Sequence, residues 1–406
     1  MIVNQFTLAK FPIFCISIFV FLFGALALVI PSGYNYGPVL LFLFALGYLF
    51  VRPYPRLITA DKLLMAALLG YFLVGALVAF VHHLPSRNYD IFSRFLFATP
   101  TLLLLLRFSV NPTYVWSGIA LGALGSGVVA LLDFYVYGEL RAGGYNNPIQ
   151  FGDIAMLFAC LLMAGFAWAK QHSRNMIIIF ALAITSGILA SLLSGARGGW
   201  LALPFALVAF YFANGLHKNT KHAAIFIVAI LCAAGFVYYF LSPELLQARM
   251  NDVSSDLQQY LHANNANTSL GIRITLWQAS LPLIAEHPLL GWGSVANYVS
   301  LSGNNAYVFR EFNHFHNEIL DALVKRGVLG GAALLIIYIV PAVLFYRQLK
   351  QCAPVRLPFA YAGLILVIAT FVFGLTQSFF SHISGAMVYV FMLVILWAQV
   401  REPALP

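Results

Sequence analysis

The feature that leaves this chain the fewest options is a succession of about twelve apolar stretches, each near the ~20 residues needed to cross a bilayer as a helix. They cover roughly 11–31, 35–51, 63–81, 91–107, 113–135, 149–169, 176–193, 198–214, 223–241, 328–346, 357–378 and 384–400. Only 9% of the 406 residues are charged, against about 25% in a soluble domain, and 62% are hydrophobic. No water-soluble core absorbs that much apolar sequence. The expected fold is all-α: a polytopic integral membrane protein of about 12 transmembrane helices, with one large loop folded as helices.

The first stretch imitates a signal peptide, with Ala25-Leu26-Ala27 as a cleavage-like site. Its apolar run continues to Ile30, too long for an ordinary h-region, so an uncleaved span is expected. With the N-terminus taken as cytoplasmic, most short-loop basic residues fall on the inner side, from Lys10, Arg52 and Arg56 to Arg347, Arg356 and Arg401. The short outer segments hold only Arg87, Arg141 and Arg197, so both termini are expected in the cytoplasm. Three segments result: nine helices over 1–241, an outer loop domain over 242–326, and three helices over 327–406. The net charge of +9 is distributed through short loops, which is a topology signal and argues against a nucleic-acid partner. Cys15, Cys160, Cys232 and Cys352 show no metal-like spacing, and none lies in the long loop, where no disulfide is expected.

That loop is the one long polar interruption, and long connections of this kind are usually functional. Ser242-Pro243-Glu244 is a good helix start, and the sequence to Ala263 reads as a surface helix ending at the Asn-rich turn 264–267. A second helix over about 272–286 places Arg273 one turn before Trp277 on the same face, until Pro288 and Gly291-Trp292-Gly293 break it. After a Ser/Gly/Asn segment at 300–305, Asn313 is expected to cap a third helix ending at Gly327. Asp133 and Asp153 at span ends, Arg94 at a span start, and Arg141 and Arg197 in outer loops all lie under this loop. Charges near spans usually face a polar cavity, here a one-sided one that the loop covers as a lid.

His316 is the leading candidate for chemistry. In the first turn of a helix capped by Asn313, the dipole opposes protonation and keeps the ring able to accept a proton. His314 competes for that role, and the bland reading is a surface histidine at a membrane interface. A metal held by His314, His316, Glu311 and Glu318 is disfavoured, because no third His or Cys stands at ligand spacing. Arg197 sits in Ser194-Gly-Ala-Arg-Gly-Gly-Trp200, where glycines allow close approach and a guanidinium can grip a phosphate bidentately. Its bland alternative is an interfacial anchor. Arg273 is a comparable candidate; Arg141, Arg249 and Arg310 are weaker ones, since outer arginines also contact lipid headgroups. Asn146, Asn147 and Gln150 either read sugar hydroxyls or satisfy an Asn-Pro turn. Several arginines with one histidine suit phosphate neutralisation plus a general base, as in group transfer from a lipid-linked diphosphate.

These features together resemble the O-antigen ligase and polymerase superfamily of polytopic membrane glycosyltransferases. The resemblance rests on SGARGGW at a span junction, R-x-x-x-W from Arg273 to Trp277, P-L-L-G-W-G at 288–293, and H-N-E-I-L…K-R-G-V-L-G entering a late span. It covers residues 145–335 well and the first five spans in topology. It implies a metal-independent, inverting glycosyltransferase without a cofactor, in the bacterial inner membrane with a periplasmic site. The donor implied is undecaprenyl-diphosphate-linked O-antigen and the acceptor lipid A–core, both met among membrane lipids. Arg197 and Arg273 would match the arginines on the diphosphate, His316 the base, and Trp277 a substrate contact.

Within the superfamily the acceptor separates ligase from polymerase, whose acceptor is another lipid-linked repeat unit. The single dominant outer loop favours the ligase. The protein-glycosylating branch usually carries an extra C-terminal soluble domain, and the sequence here stops at Pro406. A lipid-linked glycan transporter is the alternative from another class; it predicts internal repeats and polar groups near the midplane.

Overall fold

The computed structural model describes residues 3–51, 54–221, 224, 268–295 and 313–401. Among them every regular element is helical. Among the described residues nine α-helices precede the loop region: α1 (Val3–Leu26), α2 (Gly33–Tyr48), α3 (Thr59–Val81), α4 (Asp90–Arg107), α5 (Pro112–Leu131), α6 (Pro148–His172), α7 (Arg174–Ser194), the single turn α8 (Arg197–Trp200) and α9 (Leu203–Ala213). α10 (Ser269–Glu286) lies in the loop region, and α11 (Glu318–Gln351), α12 (Leu357–Thr376) and α13 (Ile383–Val400) follow. Eight helices among the described residues are long and apolar enough to cross a membrane, with shorter apolar helices at Phe11–Leu26 and Arg197–Ala213. The protein is an all-α, polytopic membrane protein.

Local sequence accounts for the helix starts. Asn-Pro is used twice: Asn111 accepts the amide of Thr113 at 2.9 Å, and Asn147 that of Ile149 at 2.9 Å, each with proline at the first helical position. Ser173 caps α7 through Met176 at 3.2 Å. Between helices, small residues set the spacing, as they do where lipid removes the hydrophobic drive for association. A Cβ on Gly118 of α5 would stand 2.7 Å from the Phe21 carbonyl of α1, so these two helices meet backbone to backbone. α6 and α13 are the most enclosed spans. α6 packs on α5, α7, α9 and α12, and α13 on α2, α4 and α12. At one end of the bundle Asp61, at the start of α3, accepts from Trp397 and Arg401 at the end of α13, both at 2.9 Å. The loops before α6, α11 and α13 and after α7 and α12 gather at the other end.

The apolar stretches expected from 11–31 to 198–214, and those from 328–346 onward, each fall on a helix. The stretch 223–241, the helix expected after Ser242, the turn at 264–267 and the segment 300–305 lie outside the described residues. So do Arg249, Arg310 and Glu311. Two boundaries differ. α1 stops at Leu26, because Pro31 and Ser32, the latter at φ +53°, turn the chain into α2. The helix expected to be capped by Asn313 starts four residues later: Asn317 caps α11, its oxygen accepting from Ile319 at 3.0 Å and Leu320 at 3.1 Å. That register puts Glu318 and Asp321 in the first turn, where the helix dipole favours acids.

The glycine-rich motifs close on one another. α11 kinks at Gly327, whose φ of 61° and ψ of −162° belong to a region only glycine occupies comfortably. Against the kink lies the turn 288–293: Trp292 and Gly293 donate to the carbonyls of Val324 and Lys325, both at 2.9 Å. In return Val328 and Leu329 donate to Pro288 and Leu289 at 2.7 and 3.3 Å. A Cβ at Gly327 would collide with the Leu289 backbone. Gly327→Ala is therefore expected to cost at least about 2 kcal/mol, from dihedral strain plus overpacking, and to lower the thermal melting point of the detergent-solubilised protein. An unchanged melting curve would contradict this lock.

Candidate active site

The segment His314-Phe315-His316-Asn317 enters α11 pinned at every residue. Phe315 is wholly buried, its N–H 3.3 Å from Asp321 and its carbonyl accepting the Trp277 indole N–H at 3.0 Å. Asp321 also pairs with Lys325 at 2.8 Å, and Lys325 donates to the Asn313 carbonyl at 2.7 Å. Glu318, buried, accepts the N–H of Phe380 at 2.8 Å. Trp277, expected as a substrate contact, thus has its N–H engaged in fixing the backbone between the two histidines.

His316 takes φ +49°, a left-handed conformation that is rare for a histidine and marks a constrained position. It is not in the first helical turn, as expected, but immediately before the N-cap. Its Nδ1 lies 2.8 Å from Oε1 of Gln377, the residue after α12. The Gln377 amide nitrogen lies 3.2 Å from Nε2 of His382, which opens α13. The His314 and His316 rings meet edge to face with centroids 4.3 Å apart, and His382 stands 5.9 Å from His314. Nδ1 of His314 accepts the His316 backbone N–H at 3.3 Å. A neutral imidazole has one ring lone pair. That of His314 is committed to this bond.

Burial is the largest influence on all three rings, and it disfavours the charged form. It pushes His314 down to about 3, with the His316 ring adding to the effect. His316 is lowered by burial and by the Arg273 charge, against a raising effect from its bond to Gln377. His382 is lowered by burial and by its His316 neighbour. The helix dipole argued for His316 is replaced by desolvation as the main cause.

The arginines approach from three other elements. Arg273 of α10 is lowered first by burial, then by the charge of Arg197, and Arg141 acts in the same direction while Asp153 opposes them. An arginine lowered in this way still carries its charge at neutral pH. Arg141 donates from Nε to the Ser194 carbonyl at 2.8 Å, tying the loop before α6 to the end of α7. Gly198 packs without a side chain against Thr376, so the Arg197 turn abuts the end of α12 beside Gln377. Asp153 is 1% exposed, and neither carboxylate oxygen is hydrogen-bonded among the described residues. It sits next to Gly199, where a Cβ would stand 2.7 Å from its oxygen. Asn147 spends its side-chain oxygen on the α6 cap, while Gln150, buried, donates to the Phe379 carbonyl at 3.4 Å. Asp133 accepts from Gly143 and Gly144 at 2.9 and 2.7 Å and so shapes the loop carrying Arg141.

Arg141, Arg197, Arg273, His314 and His316 are therefore brought to one end of the bundle. Gln377 and His382 join them there and were missed by the sequence reading. Their signal was a polar link, Thr376 to His382, between two strongly apolar spans. Among the described residues no three His, Cys, Asp or Glu side chains are arranged to hold a metal ion. A cavity of about 280 Å³ beside His82, Glu286 and Gly291 touches none of the arginines or His316.

The fold and this site define an integral membrane protein that sets histidines and arginines at the end of a helical bundle. A family model described as O-antigen ligase matches residues 180–335, which include Arg197, Arg273, His314 and His316. An uncharacterized protein of Haemophilus influenzae is 31% identical over 390 residues, covering 93% of this chain and 96% of that protein. An O-antigen ligase of Escherichia coli K12 is 30% identical over 155 residues, 36% of this chain and 35% of that protein. Residues 180–335 carry the O-antigen ligase match, and together with the Escherichia coli relative it supports membership of the O-antigen ligase superfamily.

Proposed function

We propose that the protein is an O-antigen ligase of the bacterial inner membrane, with both termini cytoplasmic and its site facing the periplasm. It moves the glycan from undecaprenyl diphosphate to a sugar hydroxyl of lipid A–core. The observation that carries the reading is the approach of Arg273, with Arg197 and Arg141 around it, to a neutral His316. His316 takes the proton of the acceptor hydroxyl as its oxygen attacks the anomeric carbon from the face opposite the diphosphate. The carbon–oxygen bond to the diphosphate breaks with its electron pair, and the arginines hold the charge released. Inversion at the anomeric carbon follows from that geometry. His314 does not compete as base, because its lone pair is already used by the His316 N–H. The meeting of polar groups at one end of the bundle, rather than halfway along it, favours transfer over transport.

The test is a transfer assay on purified protein with undecaprenyl-diphosphate-linked glycan, with and without lipid A–core. Product that requires lipid A–core is expected. Lengthened lipid-linked chains in its absence would make the protein a polymerase, and an intact donor in both tubes would sink the enzyme reading. EDTA is expected to leave the rate unchanged, since guanidinium groups supply the charge that a divalent ion would otherwise bring. Inhibition reversed by added Mg²⁺ would contradict this.

The pH profile carries a third expectation. The base works neutral, and burial places its protonation below the usual histidine value of about 6.5. Transfer should be flat at neutral pH and fall only as the pH drops below that value. An acid limb above pH 7 in kcat/KM would contradict a desolvated His316.

A further inference from the structure

The His316 ring is only as useful as its tautomer. A neutral imidazole presents its lone pair at Nδ1 or at Nε2, and only one of these can face a substrate here. We infer that Gln377, itself oriented by His382, is a positioning residue that holds His316 as the Nδ1–H tautomer and so places the lone pair on Nε2. This rests on the reading of His316 as the base.

Gln377 is rigidly held. It is 2% exposed, and its own N–H continues the α12 ladder to the Phe373 carbonyl at 2.9 Å. Its amide oxygen only accepts and its amide nitrogen only donates. With the oxygen 2.8 Å from His316 Nδ1, that nitrogen must carry the hydrogen. With the amide nitrogen 3.2 Å from His382 Nε2, that atom must carry a lone pair. The two bonds are linked. Rotating the amide by half a turn would require His382 to donate from Nε2, and it would move the His316 proton onto Nε2, removing the base. A neutral His382 with its lone pair on Nε2 accepts only the first orientation, and it must stay neutral to do so. Its burial at the start of α13, beside the positive end of the helix dipole, keeps it neutral.

The choice of an amide over a carboxylate also has a reason. A glutamate here would orient the ring equally well and hold the imidazolium more strongly. It would also set a negative charge beside the arginines that await an anionic donor. Gln377 orients without adding charge. The left-handed φ of His316 belongs to the same device: Asn317, which caps α11, also donates from Nδ2 to the Leu375 carbonyl at 3.3 Å. The histidine segment is thus stitched to the end of α12 on either side of the ring contact.

The test combines spectroscopy with kinetics on the full chain in nanodiscs. ¹⁵N-histidine NMR, assigned by single His variants, should show His316 protonated at Nδ1 and bare at Nε2. In His382→Phe that single tautomer should give way to a mixture. Gln377→Leu should lower kcat about 10–100-fold with little change in the donor KM, a loss of the size found when the partner that orients a metal-bound histidine is removed. Gln377→Glu should restore much of the rate and move the acid limb upward by about one to two pH units. In the two Gln377 variants the other groups facing His316 are unchanged: His314 on its own segment, Arg273 on α10, Asp321 on α11 and His382 before α13. A native His316 protonated at Nε2 overturns the inference. So does a Gln377→Leu protein with unaltered kcat and pH limb when His316→Ala is dead. Retained transfer in His316→Ala would overturn the base assignment first, and this inference with it.

Discussion

His316→Ala is expected to lower kcat by about 10²–10⁴ and leave the donor KM nearly unchanged, the signature of losing a general base and not a binding group. The proposed acceptor is a sugar hydroxyl, which stays protonated at neutral pH, and among the described residues His316 is the group placed to take that proton. His314 has its lone pair committed to the His316 backbone, so it cannot inherit the role without breaking that bond. The fold should survive, because Phe315, Asn317 and Asp321 hold the segment independently of the ring. His316→Asn is the better-matched control, since asparagine tolerates the left-handed backbone at φ +49° more readily than alanine. Both variants should be inactive while melting close to the parent. His314→Ala should cost less, acting only through the support it gives its neighbour. Near-normal kcat in His316→Asn would remove the base from the mechanism.

The spans were plain from hydropathy, and Arg197, Arg273 and His316 stood out as polar groups in special surroundings. The cap of α11 was misplaced because Asn313 and Asn317 are four residues apart and equally able to cap. The deciding signal was present: Glu318 and Asp321 become first-turn acids only if Asn317 is the cap. Trp277 was expected as a substrate contact from its place one turn after Arg273 in R-x-x-x-W. Its partner, the Phe315 carbonyl, lies 38 residues away and only the fold brings it near. Gln377 and His382 were missed for the same reason. They are separated from His316 by the whole of α11 and α12, and Gln377 fell inside the expected span 357–378. The P-L-L-G-W-G and K-R-G-V-L-G motifs were read as family marks, and they are the two halves of one backbone lock at the α11 kink.

Removing the charge at Arg273 is the second large effect expected: Arg273→Ala should lower transfer about 10²–10³-fold, the usual worth of one donor aimed at developing negative charge. In the proposed transfer the diphosphate leaves with more charge on its bridging oxygen than it had when bound to the glycan. A cation that meets it there speeds the bond breaking as well as the binding. Arg273 is suited to this because burial and the neighbouring Arg197 charge make its protonated form costly before the donor arrives. An incoming dianion relieves that repulsion, so part of the binding energy comes from charges already held close together. Arg273→Lys should recover only a fraction of the activity, since an ammonium lacks the two-pronged geometry of guanidinium on phosphate. Arg197→Ala should be similarly impaired. If both arginines grip one diphosphate, the double variant will be less damaged than the sum of the two singles, with a coupling of about 0.5–3 kcal/mol in a double-mutant cycle on kcat/KM. Additive losses would mean that the two guanidinium groups act on separate partners. The mechanism would then have one arginine on the leaving group and would need another task for Arg197.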